Sequence, residues 1–211
     1  MLEDDEFYFL RGSILAQEAR YEEALEQFRM ATKLNPQHAV AWFSMSSTLN
    51  ELRRYEEALE AINKALELKP WWLEAGILKG AILGHLERYD EAFAFLDSLI
   101  ERLPKIADEL DKFVPEDNKD KEETLEHLAG VWYCKAIFLE KVGRQEEALE
   151  CLEKALEIYP RFSHAWLEKG IILWKMNKEE EALSAIYMVF KHDPELFREF
   201  MQDILGSPEE K

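Results

Sequence analysis

Five prolines set the period of this chain. Pro36, Pro70 and Pro104 stand 34 residues apart, as do Pro160 and Pro194. The 56 residues between Pro104 and Pro160 hold one further 34-residue unit and 22 residues more. Proline lacks an amide proton and clashes with the turn before it, so it ends a helix and suits entry to the next turn. Recurrence at one spacing predicts five equal units, 5–38, 39–72, 73–106, 129–162 and 163–196, with an insertion at 107–128.

Other positions hold the same register. The eighth residue of each unit is small (Gly12, Ser46, Gly80, Ala136, Gly170), the eleventh is leucine (Leu15, Leu49, Leu83, Leu139, Leu173), and the twentieth is alanine (Ala24, Ala58, Ala92, Ala148, Ala182). The fourth is aromatic in four units, Tyr8, Trp42, Trp132 and Trp166, and the sixteenth is basic in all five. Positions 4, 7 or 8, and 11 lie on one stripe of a helix, and positions 20, 21, 24, 27 and 28 on one stripe of a second. Small residues at 8 and 20 let two antiparallel helices approach closely, and the aromatic and leucine fill the space beside them. Each pair leaves an apolar face that only a neighbouring pair can cover, so the units must stack.

This pattern resembles the tetratricopeptide-repeat (TPR) family, over 170 of the 211 residues. The resemblance implies an all-α, right-handed superhelical solenoid of stacked antiparallel helix pairs within a single domain, 1–211, whose concave surface binds proteins or peptides. The third unit departs from the pattern, with Gly76 in place of the aromatic and Leu99 where alanine is usual; Tyr21, Tyr55 and Tyr89 have no counterpart in the last two units.

In this family positions 2, 5, 9, 12 and 13 of each first helix line the concave face. The resemblance therefore assigns partner binding to Phe9, Phe43, Ile77, Tyr133 and Leu167 at position 5, Ile137 and Ile171 at position 9, and Asn50 and Trp174 at position 12. Repeats that clamp acidic C-terminal peptides need Lys, Arg and Asn on this face. The first three units carry no basic cluster there, so the expected partner is a protein or peptide with apolar anchors.

The irregular segments carry their own expectations. Ile106, Leu110 and Phe113 are spaced as a helical stripe, which predicts a short packed helix at 105–113; a loop comes next, and the first helix of the fourth unit starts early, near 120. Gly76, Gly80 and Gly84 share one helix face, which suggests close approach of another element such as the inserted helix, or a hole filled by Trp71 or Trp72. Leu196, Phe197, Phe200, Met201, Ile204 and Leu205 make an amphipathic helix at 195–205, started by Asp193 and ended by Gly206, that is expected to cap the last unit.

Composition narrows the function. The formal charge of −18 argues against nucleic acid and anionic membranes, which require clustered Lys and Arg. Two cysteines, Cys134 and Cys151, make no disulfide framework, so a reducing, cytoplasmic setting is expected. The N-terminus is acidic, unlike a signal peptide, and no apolar run is long enough to span a bilayer. No phosphate-loop, dinucleotide, zinc-protease or CxxC motif occurs, and the five histidines never fall at metal-ligand spacing. Expected, then, is a non-catalytic scaffold without metal or cofactor. The alternative is an assembly module, such as a homodimer joined through the terminal helix or the Trp71 edge.

Overall fold

The computed structural model describes residues 4–70, 72–103 and 119–205. The described residues contain eleven α-helices and no strand. Five pairs match the five units: α1 (Asp5–Gln17) with α2 (Tyr21–Leu34), α3 (Ala39–Glu51) with α4 (Tyr55–Leu68), α5 (Leu73–His85) with α6 (Tyr89–Ile100), α7 (Lys119–Lys141) with α8 (Gln145–Ile158), and α9 (Ser163–Lys175) with α10 (Glu179–His192). A last helix, α11, spans Pro194–Leu205. Two compact units result, Met1–Leu99 and Ile100–Lys211. The expected helix at 105–113, with Ile106, Leu110 and Phe113, lies outside the described residues, as do Trp71 and Gly206.

The small-residue positions sit where the two helices of a pair touch. All five position-20 alanines are fully buried, and the position-11 leucines are nearly so. A Cβ added at Gly12 would stand 2.8 Å from the Phe28 ring, and one at Gly170 would stand 2.8 Å from Ile186. In the second pair Ser46 uses its extra atom, donating from Oγ to the Ala58 carbonyl at 2.8 Å. Successive pairs are stitched by tryptophan. Trp42 Nε1 donates to the Pro36 carbonyl and Trp166 Nε1 to the Pro160 carbonyl, both at 2.9 Å. Thus the position-4 aromatic is tied to the proline that closes the preceding repeat.

The turn inside each pair has one recurring geometry. The position-16 amide bonds the position-11 leucine carbonyl in all five units, at 2.8 to 3.0 Å. This bond closes a Schellman motif, which requires a left-handed residue just before it. That residue is Ala19, Arg53, Glu87, Gly143 or Asn177, with φ between 56° and 80°. In the four repeats where the next residue is arginine, its guanidinium folds onto the acid three residues on, as in Arg54 to Glu57 and Arg88 to Glu91 at 2.7 Å. These pairs are exposed, so each contributes little to stability.

Two local expectations meet different outcomes. Among the described residues, the space opposite Gly76 is taken from the facing helix, while the inserted segment and Trp71 lie outside them. Leu99 of α6 fills it, its Cδ1 lying 2.8 Å from where a Cβ would stand, with Phe95 beside it. The two departures of the third unit therefore compensate each other, and Trp72 packs instead on Phe43, centroids 4.6 Å apart. The early start of the fourth unit does occur: α7 begins at Lys119, buries Leu128, and is tied to the end of α8 where the Tyr159 hydroxyl donates to Glu122 at 3.2 Å.

Candidate partner-binding surfaces

In three repeats position 5 of the first helix meets position 34 of the same repeat. Phe9 lies against His38, centroids 4.9 Å apart, Phe43 against Trp72, and Tyr133 against Phe162 at 5.2 Å. One face of each ring is therefore occupied, and Phe9, Phe43, Ile77, Tyr133, Ile137, Leu167 and Ile171 are half-buried rather than open. Asn50 is half-buried too, and its buried Oδ1 has no hydrogen-bond partner among the described residues. Of the nine residues assigned to binding, Trp174 is the open one, 56% exposed.

In the second unit the first-helix face adds charge to the apolar positions. Glu140 accepts from Lys175 Nζ at 2.6 Å. Burial, and then the neighbouring Glu140 carboxylate, raises Glu168 above the ordinary carboxylate range. Burial likewise pushes the Tyr133 hydroxyl and the Cys134 thiol up to about 12, so that thiol is a poor nucleophile at neutral pH. No group of acids, histidines and cysteines able to hold a metal occurs among the described residues. Nor is any described helix long and apolar enough to cross a membrane.

A groove of about 940 Å³ lies between α9, α10 and α11 in the unit Ile100–Lys211. Ile171 and Trp174 form its α9 side, Leu183, Ile186, Tyr187 and Phe190 its α10 side, and the apolar face of α11 its far wall. The α11 helix starts at a capping side chain, Asp193 Oδ1 accepting from the Leu196 amide at 3.0 Å, and is held to α10 edge-on through Phe190 and Phe197, 5.3 Å apart. It therefore leaves the end of the stack open instead of sealing it: Leu183, Tyr187 and Phe190 stay 60%, 62% and 51% exposed. At the position of Leu183, Leu25 and Leu59 are buried and Phe93 and Leu149 half-buried, each with another repeat after it.

Of the groove residues, the first-helix pattern singles out Ile171 and Trp174 and passes over α10. A signal for the rest does exist. Position 25 is polar in four units, Arg29, Asn63, Asp97 and Glu153, but is Tyr187 in the last.

The sequence matches the family description "Tetratricopeptide repeat" over residues 3–70 and again over 129–162. The chain belongs to the TPR family. As a TPR protein it is a protein–protein interaction scaffold with an all-α repeat-solenoid fold. Solved structures share that fold at low identity. MamA from Desulfovibrio magneticus RS-1 aligns with TM-score 0.66 at 17% identity, over 90% of this chain and 95% of that one. TTC0263, a thermophilic TPR protein in Thermus thermophilus, aligns with TM-score 0.65 at 19% identity, over 95% and 98%. YrrB, described as a TPR protein with an unusual peptide-binding site, aligns with TM-score 0.57 at 19% identity, over 95% and 93%. No curated protein matches the sequence.

Proposed function

We propose that this TPR protein is a non-catalytic scaffold that seats the apolar face of a partner helix in the groove between α9, α10 and α11. The groove itself carries this reading. Monomeric proteins seldom leave a contiguous aromatic and aliphatic surface uncovered, and such surfaces usually mark interaction sites. Two flanking helices with a third as a wall suit an amphipathic helix lying in the groove. Trp174 and Tyr187 supply aromatic anchors of the kind that dominate interface energy. That YrrB has a peptide-binding site is in keeping with this use of the scaffold. Phe9, Phe43, Asn50, Ile77, Tyr133, Ile137 and Leu167 would then add contacts along the first-helix face of their own unit. Cys134 and Cys151 are unbridged, in keeping with a reducing cytoplasm.

Titration of a fluorescent amphipathic peptide of Leu and Lys, against a scrambled peptide of the same composition, tests the groove. The amphipathic peptide should bind and the scrambled one should not. Leu183→Asp with Trp174→Ala should abolish binding while helix content stays unchanged. Equal binding of both peptides, or binding that survives in the folded double variant, places the site elsewhere.

A further inference from the structure

We infer that the occupant of this groove is helix α1 of a second copy of the chain, so that copies associate head to tail. The inference rests on the groove being a helix-binding site, and it names the helix.

The first argument is register. In every later repeat of the described chain, positions 3 and 10 of the first helix are buried: Ala41 and Thr48, Ala75 and Ile82, Val131 and Phe138, Ala165 and Ile172 are at most 5% exposed. Those helices pack on the second helix of the preceding repeat, α3 on α2, α5 on α4 and α9 on α8. Among the described residues no other repeat packs on this face of α1, and a solvated face would carry polar residues. Instead it carries Phe7 and Ile14 at positions 3 and 10, with Leu10 between them at position 6, exposed by 40%, 58% and 54%. Their spacing makes one helical stripe.

The second argument is that the groove presents the complementary stripe. Of the α10 positions left open, 21 and 28 belong to the second-helix face that a following first helix covers within the array, where Leu25 and Thr32 of α2 and Leu59 of α4 are buried; position 25 lies at the edge of that face, Arg29, Asp97 and Glu153 being exposed. Interior position 3 is Ala or Val, whereas α1 offers Phe7. A groove of about 940 Å³ walled by α11 has room for that larger side chain.

Charge fixes the direction. Where a short turn joins successive repeats, before α3, α5 and α9, the first helix starts beside the end of the preceding second helix. Helix α1 starts with Asp4, Asp5 and Glu6, and α10 ends with Lys191 and His192. Repeating the interior arrangement between copies brings the acidic start of one onto the basic end of the other. Such a contact is heterologous: each copy keeps one free α1 and one free groove, so growth continues beyond a dimer unless the chain of copies closes.

Sedimentation velocity on the full chain over a concentration series reads this directly. The parent should form reversible species larger than a dimer. Ile14→Asp, which blocks only the α1 face, and Phe190→Asp, which blocks only the groove, should each be monomeric with parental circular dichroism. Mixing the two variants should restore a dimer that grows no further, because one intact α1 face and one intact groove remain. Should either variant lose helix content, Leu10→Glu or Tyr187→Glu, at well-exposed positions, replaces it. A parent that stays monomeric, variants that still oligomerise, or a mixture that stays monomeric would each overturn the inference. If the parent is monomeric yet Phe190→Asp still abolishes binding of the Leu–Lys peptide, the second copy is ruled out and the groove reading stands. Loss of both results removes both readings.

Discussion

A left-handed residue at position 15 of every repeat is the local decision on which each helix pair depends. An L-residue in this conformation costs about 1 kcal/mol or more, and glycine escapes that cost. Only Gly143 is glycine; Ala19, Arg53 and Glu87 hold φ near 57° without that freedom. A Cβ at Gly143 would meet nothing within 4 Å, so a change there tests backbone strain alone. Gly143→Ala should lower stability by about 1 kcal/mol, and Arg53→Gly should raise it by up to a similar amount, read as opposite shifts in the urea midpoint. Shifts of the same sign would show that the turn is not governed by φ. Glu168 gives a second such test, with pH as the variable. Its folded proton affinity is raised, chiefly by burial and next by Glu140, against smaller opposing pulls from Lys175 and Lys141. A carboxyl of this kind contributes stability below the unfolded carboxylate range and loses it as pH rises through its raised value. Glu168→Gln should therefore melt higher than the parent at neutral pH, and the gain should fade as pH falls toward the carboxylate range. A gain that is absent, or that persists in acid, would mean that the buried charge carries no such cost.

Between helices, the fit of large against small residues does the work, and the third repeat shows that the pairing matters more than the individual residues. Gly76 stands where the family pattern puts an aromatic and Leu99 where it puts alanine, and one fills the space the other leaves. Leu99→Ala should open a cavity and cost about 2–5 kcal/mol. Gly76→Trp alone should overpack the same site, while the double change should recover much of both losses because it restores the arrangement of its neighbours. Additive losses in that cycle would deny that the two sites share one space. The helix pairs themselves were legible in the sequence because proline, leucine, alanine and small residues recur at fixed positions, each forced by backbone or packing. The left-handed turn was not, since Ala19, Arg53 and Glu87 carry no turn signature. Nor was the contact of Phe43 with Trp72 and of Tyr133 with Phe162, because contacts some thirty positions apart in the chain leave no local period. The terminal groove was half legible. Ile171 and Trp174 fall on the first-helix pattern, but Leu183 and Phe190 occupy positions that read as ordinary core until one sees that α11 leaves them exposed.

Charge acts on the molecule as a whole, and here two effects of salt oppose each other. A formal charge of −18 on 211 residues makes the compact state repel itself at neutral pH. Ordered Arg–Glu pairs at the starts of α2, α4, α6 and α8 pull the other way, holding Glu23, Glu91 and Glu147 below the ordinary carboxylate range through their bonds to Arg20, Arg88 and Arg144. Salt weakens both. The pairs are short and exposed, their individual contributions are small, and they are repeated only once per helix pair. The repulsion is summed over the whole excess of acid, and its separations are longer, so it is the first to be screened. Raising the ionic strength to about 1 M shortens the screening length to about 3 Å, comparable with the pairs themselves but far below the spacing of most surface charges. The melting temperature at neutral pH should therefore rise with sodium chloride. Self-association should strengthen over the same range, because the faces inferred to meet are apolar while the copies that carry them repel. Calorimetry and sedimentation in parallel salt series read both responses. A melting temperature that falls with salt would mean that the paired arginines outweigh the net charge, and association that weakens would mean that Asp4, Asp5 and Glu6 facing Lys191 and His192 contribute more than the apolar stripe between them.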